Sequence, residues 1–122
     1  MVKNTTILIV EDDPGLRAAL ELALTYEGLH VVIASNGREA LFRLRNHERP
    51  AMILLDLLMP VMDGHEFLEI FEKEPAWASI PVVAMSSPEN ISELKPKMIT
   101  MIKPFTLKTL LLILQKEIPE KL

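Results

Sequence analysis

Short apolar stretches alternate with stretches of helical periodicity along almost the whole chain. Each apolar stretch has the length of a strand and is rich in Val, Ile, Leu or Met, as expected for strands covered on both faces. The predicted strands are Thr6–Val10, His30–Ala34, Met52–Leu57, Pro81–Ser86 and Met98–Lys103. This alternation predicts an α/β fold with five buried parallel strands.

The segments between the strands carry the start and stop signals of helices. The first helix is expected to begin after the pair Asp13–Pro14, a capping residue and a first-turn proline, and to stop at Gly28. Ser35 or Asn36 is expected to cap the second helix, and the third is expected to follow Asp63–Gly64. Helices should therefore separate the first four strands.

The fourth connection is the exception to this pattern. Residues 87–97 contain Pro88 and Pro96, which leave room for only a short or irregular fourth helix. A last helix is predicted from Leu107 to Ile118.

Length and composition indicate one ordinary globular domain over residues 1–122. The chain is 49% hydrophobic and 25% charged, has a net charge of -4, and contains no cysteine. The acidic balance argues against direct binding of nucleic acid, and the absence of cysteine removes disulfides and thiolate metal sites. The N-terminal apolar run is too short for a signal peptide or a membrane span, so we expect a cytoplasmic protein.

Polar and charged residues follow four of the predicted strands. In open α/β sheets the ligand site lies outside the carboxyl ends of the strands, so these residues are candidates for a common site. They are Glu11, Asp12 and Asp13 after the first strand, Asp56 at the third, Ser86 and Ser87 at the fourth, and Lys103 at the fifth.

Several of these residues also have purely structural explanations. Capping of a helix is enough to explain Asp13, and one of the two serines can cap the short following helix. Lys103 can simply end a strand before Pro104. Asp56 is different, because it lies inside an apolar run where an isolated carboxylate has a large desolvation cost. A functional role is therefore favoured for Asp56.

Taken together, these residues indicate magnesium-dependent phosphoryl chemistry. Converging carboxylates suit Mg²⁺ better than zinc, because the chain has no cysteine and its three histidines are scattered. The cation would offset repulsion among the acids and bridge to phosphoryl oxygens, while Lys103 and a serine hydroxyl contact the others. Asp56 would then be the nucleophile that forms an aspartyl phosphate.

The ordered set of motifs resembles the receiver domains of bacterial response regulators, including the stand-alone chemotaxis type, over essentially the whole chain. The resemblance rests on Glu11–Asp12, on Asp56-Leu57-Leu58-Met59-Pro60 with Met62-Asp63-Gly64, on Ser86 and on Lys103-Pro104-Phe105. It implies a flavodoxin-like, doubly wound five-stranded parallel sheet of order 2-1-3-4-5.

The resemblance also implies a role for each matching residue. Asp56 becomes the phosphoacceptor and, with Glu11, Asp12 and the backbone carbonyl of Leu58, part of the Mg²⁺ site. Ser86, with Ser87 beside it, and Lys103 become the residues that contact the phosphoryl group. Family members usually have a cis peptide bond where this chain has Lys103–Pro104.

The expected partners follow from the same resemblance. The donor would be a sensor histidine kinase or a histidine phosphotransfer protein, and the recipient of the signal a downstream effector protein or output domain. Neither a nucleic acid nor a membrane is expected as a direct partner. The domain would catalyse only its own phosphorylation and slow dephosphorylation, without turning over an outside substrate.

Two departures from the family pattern concern signal transmission. Thr100 occupies the position of the usual aromatic switch residue, and the stretch from Ser86 to Lys103 is shorter than the family norm.

Two alternatives remain at this point. One is a degenerate receiver that binds a partner without phosphorylation. The other is an aspartyl phosphohydrolase, but such an enzyme would have a second acid where this chain has Leu58.

Overall fold

The computed structural model describes residues 5–47, 49–89 and 98–119. The strands in these ranges are β1 (Thr6–Val10), β2 (His30–Ala34), β3 (Met52–Asp56), β4 (Val82–Ser86) and β5 (Ile99–Ile102). The α-helices there are α1 (Pro14–Tyr26), α2 (Gly37–Asn46), α3 (Gly64–Glu72) and α4 (Leu107–Glu117), with a short 3₁₀ helix at Pro75–Trp77.

The five strands form one parallel sheet of order β2-β1-β3-β4-β5, which confirms the predicted fold class and strand order. Three strands are slightly shorter than predicted. β4 starts at Val82 because Pro81 has no N–H to give to the ladder. Leu57 and Lys103 lie just outside β3 and β5, although their backbone N–H groups still donate to Met85 O at 3.4 Å and Ser86 O at 2.7 Å.

Side-chain caps start the helices where the sequence predicted. Asp13 caps α1 and accepts a hydrogen bond from Gly15 N at 2.9 Å, with Pro14 in the first turn. Asn36, and not Ser35, caps α2 through Glu39 N. Asp63 caps α3 in a reciprocal capping box with Glu66.

The helices cover both faces of the sheet. Alternate residues of each strand point to opposite faces, and the core divides accordingly into two apolar clusters. Leu8, Ile53 and Leu55 lie in the cluster covered by α2 and α3. Ile9 and Leu54 lie in the cluster covered by α1 and α4. The prediction of a short or irregular helix between β4 and β5 falls mainly on residues 90–97, which lie outside the described residues.

The connection from β3 to α3 contains a strained turn. Val61 has a φ of 69°, and Met62 N donates to Pro60 O across it at 2.8 Å. This is the rare γ-turn in which the central residue has a positive φ. A β-branched side chain is unfavourable there, and Val61 is 66% exposed, so burial of its side chain offsets little of the strain.

We expect Val61→Gly to stabilise the fold by about 1 kcal/mol, because glycine adopts a positive φ without strain. Leu22→Gly is the matched control, since it removes another exposed apolar side chain from regular helix and should destabilise by about 1 kcal/mol. Urea denaturation measures the free energy of unfolding of both variants. A loss of stability in Val61→Gly would show that the side chain makes a net favourable contribution.

Candidate functional site

A pocket of about 140 Å³ opens at the carboxyl edge of the sheet, between the ends of β3, β4 and β5. Parallel strands bring their carboxyl ends to one edge, which is why residues far apart in sequence meet here. Its lining residues are Asp56, Leu57, Leu58, Met85, Ser86, Ser87 and Lys103.

Asp56 is the last residue of β3 and is only 5% exposed. Leu58 N donates to Asp56 Oδ1 at 3.3 Å, so one carboxylate oxygen has a backbone partner. Glu11 follows β1, the strand next to β3, and is fully buried. Two acids thus lie at neighbouring strand ends inside the protein.

Lys103 brings the positive charge to this pair of acids. Its Nζ lies 3.1 Å from Glu11 Oε1 and 3.5 Å from Asp56 Oδ1. The bond from Lys103 N to Ser86 O places the residue at the end of β5. The following bond to Pro104 is cis, as the resemblance implied.

The charge balance of the site shifts the proton affinities of Asp56 and Lys103. Burial, followed by the hydrogen bond and repulsion from Glu11, raises the pKa of Asp56 to about 7. Lys103 and the Leu58 N–H act in the opposite direction. Burial alone would lower the pKa of Lys103, but attraction to Asp56 and Glu11 outweighs it and raises that pKa.

The acids also form a candidate cation site. Carboxylate oxygens of Glu11, Asp12 and Asp56 all lie within 4.8 Å of one another, with Asp12 exposed and the other two buried. An all-oxygen donor set, open to solvent on the Asp12 side, suits Mg²⁺. The repulsion that raises the pKa of Asp56 is further evidence of fit, because a divalent cation would relieve it.

The remaining predicted residues divide into those at the pocket and those away from it. Ser86 and Ser87 both line the pocket. Ser86 is buried, and its Oγ donates to Ser87 O at 3.0 Å. Asp13 caps α1 and does not line this pocket. Thr100 lies within β5, opposite Ala84, and its Oγ1 donates to Met98 O at 3.3 Å.

The structure adds two residues that the sequence analysis missed. Arg17 Nη1 donates to the backbone oxygen of Glu11 at 2.9 Å and so contacts the end of β1. Gly37 N donates to Met62 O at 2.8 Å and links α2 to the loop after β3. Arg17 lies about one turn into the helix that follows the acidic end of β1, and this spacing could have marked it as a candidate. No local pattern indicated Gly37.

No helix in residues 5–47, 49–89 or 98–119 is both long enough and apolar enough to cross a bilayer.

Comparison with known proteins identifies the family. The response regulator receiver domain family matches residues 7–115, so the chain belongs to this family. The response regulator Rre1 of Synechocystis is 33% identical over 88 residues, which make up 71% of this chain and 38% of that relative. The chain therefore spans well under two thirds of the length of this curated relative.

Solved structures show the same fold. The chemotaxis response regulator CheY4 of Vibrio cholerae is 30% identical, with a TM-score of 0.84 over 95% of this chain and 100% of that chain. The receiver domain of the sensor histidine kinase PA1611 from Pseudomonas aeruginosa PAO1 is 26% identical, with a TM-score of 0.85 over 96% and 99%. That structure contains a magnesium ion coordinated in its active-site cleft.

The raised pKa of Asp56 predicts a distinctive dependence of stability on pH. In metal-free protein the folded state binds the Asp56 proton more tightly than the unfolded chain does. The Asp56 contribution to stability therefore falls as pH rises from about 4 to about 7 and is constant above that. Asp56→Asn removes this dependence, so the variant should exceed wild type by roughly 4 kcal/mol at pH 8 and match it near pH 4.

Urea denaturation in the presence of a chelator measures this difference. Glu69→Gln is the control, because it neutralises an exposed carboxylate on α3 and should follow wild type at every pH. A difference between Asp56→Asn and wild type that stays constant from pH 4 to pH 8 would contradict the raised pKa.

Proposed function

We propose that the domain accepts a phosphoryl group on Asp56 in a Mg²⁺-dependent reaction and thereby changes its interactions with partner proteins. One observation carries this proposal. Asp56 is a buried carboxylate beside a second acid and a lysine, at the wall of a pocket that opens at the sheet edge. Such a cluster is costly for folding alone and suited to nucleophilic attack on phosphorus.

The proposed reaction is a direct transfer between two groups. One Asp56 oxygen bonds to phosphorus while the bond from phosphorus to the donor breaks, and the donor atom keeps the bonding electrons. That atom is an imidazole nitrogen of a phosphohistidine or a carboxyl oxygen of an acyl phosphate. Water later attacks phosphorus, releases inorganic phosphate and restores the carboxylate.

Each neighbouring residue has a task in this transfer. Glu11, Asp12, Asp56 and the Leu58 carbonyl would hold Mg²⁺, which supplies charge neutralisation for the acids and for the transferred group. Lys103 is already within 3.5 Å of Asp56 and would pair with a phosphoryl oxygen. The Ser86 hydroxyl would exchange its bond with Ser87 O for one to the phosphoryl group.

The partners follow from the chemistry of the donor and from the family. We propose a sensor histidine kinase or histidine phosphotransfer protein as the donor, and an effector protein or output domain as the receiver of the signal. We further propose that the domain acts in the cytoplasm and turns over no outside substrate. Ser86, Ser87 and Lys103 would carry the change from Asp56 towards the partner surface.

The first test is direct labelling. Incubation of wild type with Mg²⁺ and acetyl phosphate should add the mass of one phosphoryl group, stable in acid and labile in base, as expected of an acyl phosphate. Asp56→Asn should abolish the label, while Asp63→Asn, which retains a capping residue outside the site, should keep it. Wild type that stays unlabelled would favour a receiver that binds its partner without phosphorylation.

The second test concerns transmission through Lys103. Labelling wild type should slow hydrogen exchange in β4 and β5, because the phosphoryl group would pair with the cation at the end of β5. Lys103→Ala should keep its fold in Mg²⁺ but lose roughly half or more of this change and weaken phosphorylation-dependent partner binding. Lys108→Ala, which removes an exposed lysine from α4, is the matched control and should respond as wild type does. An equal exchange response in Lys103→Ala would count against the switch role.

A further inference from the structure

The loop of residues 57–63 carries Leu58, whose carbonyl is one of the oxygens assigned to the cation. Both ends of this loop are fixed to the elements that it joins. Gly64 N donates to Leu57 O at 3.0 Å, and the capping box of Asp63 and Glu66 starts α3. Between these ends the backbone must still be held in one conformation if the carbonyl is to face a metal ion.

A contact from α2 holds the middle of the loop. Gly37 N donates to Met62 O at 2.8 Å. This bond joins the loop to an element other than β3 and α3. α2 begins at the same edge of the sheet as the acidic cluster, because it follows the carboxyl end of β2.

Gly37 lies too close to Met62 for any side chain to fit without movement. A Cβ at position 37 would lie 2.8 Å from Met62 Cγ and 2.8 Å from Met62 O. The first contact can be relieved by rotation of a flexible side chain. The second cannot, because the oxygen belongs to the main chain of the loop.

The strained turn at Val61 lies immediately before this contact. A non-glycine residue keeps a positive φ only where its surroundings hold it there. The hydrogen bond from Gly37 to Met62 O, beside the turn, supplies such a constraint. A displacement of Met62 O would therefore be passed to Pro60 and Leu58 through the turn.

We propose that Gly37 is a positioning residue for the metal site, which acts by fixing the β3–α3 loop so that the Leu58 carbonyl faces the cation. This inference rests on the proposed function, because it requires the Mg²⁺ site. Mg²⁺ demands near-ideal octahedral geometry at short distances, whereas Ca²⁺ accepts longer and more variable distances. Loss of the contact should therefore weaken Mg²⁺ binding more than Ca²⁺ binding.

The test is calorimetric titration of the unphosphorylated protein with each cation. Gly37→Ala should bind Mg²⁺ about fivefold or more weakly than wild type and lose clearly less affinity for Ca²⁺. Gly28→Ala is the control for general destabilisation. Its φ of 86° strains any side chain, no atom lies within 4 Å of its Cβ position, and it should bind both cations as wild type does.

A second pair of variants isolates the clash with the main chain. Met62→Ala removes the Cγ and Sδ atoms, so addition of Gly37→Ala to it keeps the contact of the new Cβ with Met62 O at 2.8 Å and removes the two side-chain contacts. The double variant should show the same loss of Mg²⁺ affinity relative to Met62→Ala, which allows the test even if Gly37→Ala does not fold.

The outcomes separate this inference from the proposed function. Unchanged Mg²⁺ affinity in folded Gly37→Ala and in the double variant, or equal losses for Mg²⁺ and Ca²⁺, would overturn the positioning role only. Wild type that binds no Mg²⁺ and takes no label would overturn the proposed function itself.

Discussion

The two buried acids at the carboxyl edge of the sheet, Glu11 and Asp56, share one lysine. Lys103 lies 3.1 Å from the first and 3.5 Å from the second, so one positive charge faces two negative ones. Burial and the Glu11 charge raise the pKa of Asp56 to about 7, which expresses this imbalance. The site is thus suited to take up more positive charge, and the strand order and loop geometry around it can be understood from that requirement.

The parallel sheet produces this arrangement with little loss of side-chain conformational entropy. β1 and β3 are hydrogen-bonded neighbours, so their carboxyl ends bring Glu11 and Asp56 together without any dedicated loop. Lys103 is held in the same way, by its backbone bond to Ser86 O at the end of β4. The groups of the candidate site therefore follow directly from the strands, whose residues form about half of the buried core.

The β3–α3 loop follows a different physical rule. It contains a residue of positive φ at Val61 and leaves Leu58 and Val61 largely exposed, whereas Leu57, Met59 and Met62 pack against the core. Its conformation depends on contacts with helix ends, among them the hydrogen bond from Gly37 to Met62 O. Strain that is maintained in this way is common beside functional sites, where the position of one backbone group matters more than local stability.

The candidate site and the position of the usual switch residue lie in different parts of this chain. The acids, Ser86 and Lys103 meet at one edge of the sheet, whereas Thr100 lies inside β5 and bonds to Met98 O. A threonine cannot make the contacts of the aromatic residue that usually stands there, so the proposed phosphorylation at Asp56 would have to reach partners by another arrangement of β4 and β5. Much of the segment between these strands lies outside the described residues.

The sequence by itself determined the five strands, the helix cap at Asp13, the start of the third helix after Asp63 and the candidate residues at the strand ends. These features are local: they depend on hydrophobic period, on capping side chains and on the cost of a carboxylate within an apolar run. The strand order came only from the resemblance. Tertiary structure alone decided the sharing of Lys103, the raised pKa of Asp56 and the contact of Gly37 with Met62, because each depends on atoms brought together from separate elements and on the water excluded between them.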